Sequence, residues 1–482
     1  MYARPFLFFL FTLLVMMATF VTPTGCANII PPEGGPRDTI PPVLLKVAPA
    51  DRSTQVNTNR VVFTFDEFIE LQNAQQAVII SPLPATPPTI EGKLREVSVR
   101  LRDTLQPNTT YTIDFGTAIK DYNEGNVLKN LRYSFSTGDR LDSGRIKGKL
   151  VMAENGKLDS TLIVILHRSG ADSAIVNDRP AYITRLNGRG EFEFGQLPDR
   201  SFYLYAIKDD GGMRRVMGDD QRVAFADSAI RASNNPTNQF LFAFDLKPKT
   251  SGVIGTAPIV TPGVKGKSGG TNNDRRLRYT NNLSEGKQDL LRPFELTFEQ
   301  PLTRFDSAGI RLYTDSSFQP VSPYTVSLDS TRRKISLTAP WNENTFYRVV
   351  IDKDALKDTL DKQLLRGDTI SFNSRKKSDY GKLSIRLRNL KGTQEEGPNA
   401  DPVIQLVLND AIVADAKLGS DGLFRRDLFL PGTYELRILF DRNGNGKWDG
   451  GQLFPSRIQP ERVRLLEKKI TVKANWENEY EL

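Results

Sequence analysis

A chain of 482 residues that is 39% hydrophobic and holds 27 Phe and 14 Tyr has the apolar content to build cores, at a length that gives a prior of about three domains, or more if they are small β domains. Its net charge of +8, from 65 basic and 57 acidic residues, is spread over stretches such as VSVRLRD, RIKGKL and STRRKIS, where bases alternate with apolar residues; this reads as solvated strand faces, and no nucleic-acid partner is expected. One histidine, His167, and one cysteine, Cys26, leave no multi-histidine zinc site and no disulfide staple within the chain, and with His167 read as a strand-end residue and Cys26 as a lipid attachment point no Ser-His-Asp or Cys-His nucleophile is expected.

Arg4 and the run PFLFFLFTLLVMMATF have the form of a secretory signal. The run is short of the roughly 20 apolar residues a membrane span needs. Pro23, Thr24 and Gly25 precede Cys26, and this stretch resembles a bacterial lipoprotein signal with its lipobox, Pro23 standing where that family has Leu or another aliphatic. The resemblance implies that residues 1–25 are a cleaved signal peptide and that Cys26 is diacylated, becoming the membrane-attached first residue. Ordinary secretion with a free thiol, or an uncleaved anchor, remains open. Residues 26–37 are rich in Pro and Gly, as a flexible tether is.

From Arg60 onward, alternation with period two predominates. RVVFTF puts Val61, Phe63 and Phe65 on one face; EVSVRLRD puts Val97, Val99 and Leu101 inward; TYTIDFG and LRYSFSTG follow the same rule. Short alternating strands parted by Pro, Asn and Gly turns predict a β-sandwich, with one helical turn near ELQNAQQA. The Pro-Pro lead-in at 41–42, the Pro-Ala-Asp turn, the triplet Phe65-Asp66-Glu67, the turn residues Asp121, Gly125 and Asn126 and the Phe-Ser-Thr-Gly exit make residues 38–138 similar to the SbsA-type bacterial Ig-like domain. These motifs are turn chemistry, so the resemblance implies a fold and little about activity.

Residues 143–247 form a different β block, in which NGRGEFEFGQLPDRSFYLYAI resembles a transthyretin-like or carboxypeptidase-regulatory-like sandwich; the resemblance implies a scaffold domain and no peptidase. Residues 248–276 are rich in Gly, Pro, Ser and Thr and read as a flexible linker. The second half then echoes the first: Phe298 answers Phe65, Tyr347 answers Tyr111, Phe372 answers Phe135, and SDGLFRRDLFLPGTYELRILFD answers GRGEFEFGQLPDRSFYLYAIKD. Residues 277–375 are therefore a second, degenerate Ig-like domain, with KDTLDKQ in place of the Gly-Asn turn, and 380–482 a second transthyretin-like sandwich. The expected fold is all-β, four tandem β-sandwiches.

The best candidate site is FDRNGNGKWDGGQ. Asp441, Asn443, Asn445 and Asp449 place oxygens at positions 1, 3, 5 and 9 of a calcium loop, with Gly446 at the bend, although Gln452 stands where an EF-hand has its bidentate Glu. The same string also makes a tight turn between strands, with Trp448 covering the sandwich end, and both readings stay open; no other cofactor is expected. Carboxylates for glycoside chemistry, Asp66 with Glu67 or Asp219 with Asp220, fall in turns. His167 reads as a strand-end residue. The function expected is non-enzymatic: an outer-membrane lipoprotein, periplasmic or surface facing, held to the membrane by its lipid. It would act as a scaffold or adhesion-type module whose rigid domain pairs swing about residues 248–276, with an envelope protein or a surface glycan as partner. The alternatives are a carbohydrate-processing enzyme with an unlocated carboxylate pair and a structural spacer in an envelope complex.

Overall fold

In the strand Arg60–Phe65 the side chains of Val61, Phe63 and Phe65 are buried while Arg60 is exposed, and in Glu96–Arg100 Val97 and Val99 are buried between exposed Glu96 and Arg100. The alternation read from the sequence is thus the alternation of core and solvent faces, which a strand imposes because successive Cβ atoms point to opposite sides. The computed structural model describes residues 37–247, 276–315, 317–388 and 401–482. The leader, Cys26 and linker residues 248–275 lie outside the described residues. The fold is all-β, tandem sandwiches, and the helical turn expected near residue 74 is Ala74–Ala77. Among the described residues no helix is long and apolar enough to cross a membrane.

The described residues form two compact units, one of residues 37–80 with Pro84–Arg140, the other of Ser81–Leu83 with the described part of residues 141–482. In the first, the antiparallel sheet Leu44–Ala48, Arg60–Phe65, Glu96–Arg100, Thr89–Lys93 faces a second sheet that includes Arg132–Ser136 and Thr110–Asp114. Phe63 closes the space between them, edge-on to Phe115 at 4.9 Å and to Tyr133 at 5.3 Å. Each such buried aromatic contributes about 1.5–3 kcal/mol by leaving water.

Among the described residues the second unit holds three further large cores. One gathers residues of Ile146–Ala243, including Phe192, Phe202 and Leu204; one gathers residues of Leu277–Phe372, including Phe294 and Tyr347; one gathers residues of Leu383–Val472, including Phe424 and Tyr434. They are the second, third and fourth sandwiches. The sequence echo between the first and third sandwiches extends to individual bonds. The Tyr111 hydroxyl accepts the amide of Gln106 at 2.8 Å, and the Tyr347 hydroxyl accepts the amide of Asn342 at 2.9 Å. Asp121 accepts the amides of Glu124, Gly125 and Asn126; buried Asp358 accepts those of Leu360 and Lys362. The missing Gly-Asn is made good by Asp361, which takes the left-handed conformation at φ 61° where Gly125 has φ 82°, as Asp tolerates better than most residues.

The second and fourth sandwiches are docked on each other. The amide of Val463 donates to the carbonyl of Ala153 at 2.8 Å, Lys157 pairs with Asp410 at 2.6 Å, and the Arg462 guanidinium lies 4.1 Å from the centre of the Phe242 ring. Gly156 lets the backbone of Leu465 pass so close that a Cβ there would lie 2.8 Å from the Leu465 nitrogen. This corrects the expectation of two domain pairs swinging about residues 248–276: the sandwiches that flank that linker's two halves of the chain are bonded together by contacts that no linker sequence discloses.

Candidate functional site

The strand Gly432–Asp441 ends on Asp441, which is 1% exposed. Its Oδ1 accepts the amide of Gly444 and its Oδ2 that of Gly446, both at 2.7 Å. Gly444 and Gly446 hold φ of 76° and 74°, and nothing lies within 4 Å of where a Cβ would stand on Gly446, so glycine is required there by backbone conformation and not by space. Asn443 Oδ1 accepts the amide of Asn445 and Asn445 Oδ1 that of Lys447, while both side-chain amides donate to Asp449 Oδ2, at 2.6 and 2.8 Å. The four residues singled out in the sequence therefore do meet in one loop.

A residue the spacing did not point to completes it. Glu461, 2% exposed, accepts the amide of Arg442 at Oε1 and that of Asp449 at Oε2, and its carbonyl accepts the indole N–H of Trp448 at 2.7 Å. Burial pushes the Glu461 carboxyl up, the two amides oppose this, and the charges of Asp441 and Asp449 add to the rise. Trp448 packs on Val403, Leu439 and Val463. Glu461 lies 20 positions after Asp441, beyond any loop motif, and only its isolation at the head of a strand in the sequence marks it.

The arrangement satisfies itself. Both Asp441 oxygens hold backbone amides, and Asn443 and Asn445 turn nitrogen, not oxygen, toward Asp449. Rotating either amide to offer oxygen to a cation would break the bonds its Oδ1 makes to the backbone. Among the described residues no group of three or more His, Cys, Asp or Glu side chains is placed to hold a metal ion.

Beyond the loop, residues 450–461 cross to the second sandwich. Gly451 lies against the Phe244 ring, where a Cβ would come within 2.7 Å. Arg457 Nη2 donates to the Gly170 carbonyl at 3.1 Å and to Asp172 at 2.9 Å, its guanidinium 5.4 Å from the Tyr205 ring centre. Gln459 Nε2 donates to the Phe225 carbonyl at 2.9 Å and to Asp227 at 2.7 Å. The Asn-Gly loop and Glu461 thus brace both ends of an interdomain clasp.

His167 lies beneath that clasp, 2% exposed, edge-on to Tyr205 at 5.8 Å, its Nε2 without a partner. Burial pushes the imidazole below its ordinary value, against the charge of Asp178. The candidate carboxylate pairs lie elsewhere. Asp66 is exposed and accepts the Val43 amide; Asp219 and Asp220 are exposed, Asp219 paired with Lys247.

Residues 38–137 match the family model of the bacterial Ig-like domain. No curated protein matches the chain. Among solved structures it is similar to the Bacillus anthracis TIE protein, at 12% identity over 94% of this chain and 75% of that one, with a TM-score of 0.17. It is similar also to BcpA, the major pilin subunit of Bacillus cereus, at 9% identity over 70% of this chain and 98% of that one, TM-score 0.17. A third is the BSP domain of a biofilm associated protein, at 8% identity over 92% and 98%, TM-score 0.16. Scores that low carry no common arrangement of the whole chain.

Proposed function

We propose that this chain is a non-enzymatic scaffold or binding module of a bacterial envelope, a lipoprotein attached through Cys26 to the outer membrane, presenting its sandwiches to an envelope protein or a surface glycan. The observation that carries the reading is the clasp. Residues 450–461 join sandwiches far apart in the sequence through two side chains that each make two bonds, which gives the second and fourth sandwiches one fixed relation, as a presenting platform needs. The bacterial Ig-like domain at residues 38–137 supports it. Protease shaving of intact and lysed cells, with the C-terminal sandwich as the probe and a Cys26→Ala strain alongside, tests it. Cleavage in intact cells with release of the variant supports a lipid-tethered surface module. Resistance until lysis moves the platform to the periplasm. Unchanged membrane association and processing of Cys26→Ala overturns the lipid anchor.

The Asp441 loop serves, in this reading, as the brace of the clasp without a metal. Calcium there is the second reading, favoured by the Asp-x-Asn-x-Asn-Gly spacing, and binding would be weak, in the roughly 10⁻⁴ to 10⁻³ M range of extracellular modules. The melting temperature is expected to be the same in EDTA and in millimolar calcium; a rise in calcium that Asp449→Ala abolishes would establish the metal.

A further inference from the structure

The fourth sandwich repeats the second with one side left open. In the second, the strands Tyr182–Arg185 and Glu191–Leu197 come together, and Thr184 Oγ1 donates to the carbonyl of Glu193 at 3.2 Å. The corresponding strands of the fourth, Ala411–Lys417 and Leu423–Phe429, are the outermost strands of separate sheets. Between them lies a cavity of about 360 Å³, with Leu408, Val413 and Ala414 on one wall, Leu428 and Leu430 on the other, and Tyr434 beneath. The ladder to the neighbouring strand passes from Leu406 opposite Ala414 to Val407 opposite Ile412, so Val413 is a bulge residue, and Val413 and Ala414 both pack toward the core. A bulge of this kind re-aims side chains and bends the edge.

The two edges differ in what they would accept. Leu423–Phe429 carries Arg425, Arg426 and Asp427, exposed charges that discourage a further strand. Ala411–Lys417 carries no charge from Ala411 to Ala414, and Leu291, 64% exposed, extends the apolar surface at the cavity rim. Arg292 and Arg426 also line the cavity, and neither is in an ion pair among the described residues. Asp289 beside them is occupied, accepting the Tyr380 hydroxyl and the Leu291 amide.

We propose that the edge of Ala411–Lys417 is a strand-addition site for an extended segment of a partner protein. The incoming backbone pairs with the outward amides and carbonyls of the edge, alternate aliphatic side chains fill the cavity, and a carboxylate meets Arg292 and Arg426. Backbone pairing supplies affinity for any extended segment, and the cavity and the two cations select among them. The inference deepens the reading of the chain as a binding module and rests on it. Its test uses purified protein, so its failure leaves the shaving result standing.

Random dodecapeptides displayed on phage, panned on the Cys26→Ala chain, are the probe. The expected result is enrichment of peptides with alternating aliphatic residues and an acidic residue, which slow amide exchange at residues 411–417. Binding should fall about tenfold or more for Val413→Arg, and stay unchanged for Val326→Arg on an edge of the third sandwich. A selected peptide N-methylated at alternate residues should also lose binding, a readout independent of how Val413→Arg folds. No enrichment over an unrelated protein, protection elsewhere, or full binding by the N-methylated peptide overturns the proposal.

Discussion

Asp441 and Asp209 occupy corresponding places in the fourth and second sandwiches, and the number of backbone amides each holds separates them. Asp441 accepts two, from Gly444 and Gly446, whereas Asp209 accepts that of Arg214. A hydrogen bond to a charged group contributes about 1.5–3 kcal/mol. Asp441→Ala is therefore expected to lower stability in urea by about that amount and Asp209→Ala by clearly less; equal losses would show that the Asn-Gly loop is not bracing anything. His167 gives a second prediction at this scale. Its imidazole is lowered by burial, so the unfolded chain takes up a proton near the ordinary value of about 6.5 while the folded chain does not. The contribution is present above that pH and is lost as pH falls below it. Since the chain has one histidine, the difference in urea midpoint between the native chain and His167→Phe should change as pH falls from about 7 to about 5.5, and a flat difference would refute the burial argument.

At the scale of strands and turns, the first and third sandwiches make the same corner twice. Tyr111 and Tyr347 each accept an amide five residues back, and Asn108 and Asn344 each take a left-handed conformation, at φ 51° and 52°. Tyr111→Phe and Tyr347→Phe are expected to cost about 0.5–1.5 kcal/mol apiece, measured by chemical unfolding of each sandwich; a cost at one and not the other would mean that the repeat is one of sequence alone. Much of this level was legible beforehand. The alternation of Val61, Phe63 and Phe65 and of Val97, Val99 and Leu101 is a local rule, and so is the positive φ that Asn and Gly permit. The loss of Gly-Asn in KDTLDKQ was legible as a departure, but not that Asp361 would take up the left-handed position, because several residues there could have done so. Asp441, Asn443, Asn445 and Asp449 were legible as one loop. Glu461 was not, since a carboxylate that caps a loop from the next strand leaves no spacing signal.

For the whole molecule, the clasp decides the behaviour. Gly451, Arg457 and Gln459 are ordinary turn residues in sequence, and their role exists only because the second sandwich presents Phe244, the Gly170 carbonyl and the Phe225 carbonyl to them. This is why the sequence reads as swinging pairs: a linker composition is local, and a docking face is not. The double variant Gly451→Val with Arg457→Ala is expected to separate the second and fourth sandwiches, raising the radius of gyration in small-angle scattering without loss of β signal in far-ultraviolet dichroism. Unchanged scattering would mean that the remaining contacts, Val463 to Ala153 and Lys157 to Asp410, suffice.

The clasp also sets an order in time. A chain threaded outward from its beginning delivers the second sandwich, with Phe242 and Phe244 at its docking side, long before residues 450–463 emerge to cover it. Until then that surface is an unshielded apolar patch on an otherwise finished domain, a state that invites chaperone capture or self-association. A ribosome stall anywhere in the third sandwich would make this state permanent, so an interruption far from the docking face would be registered as exposed phenylalanine at it.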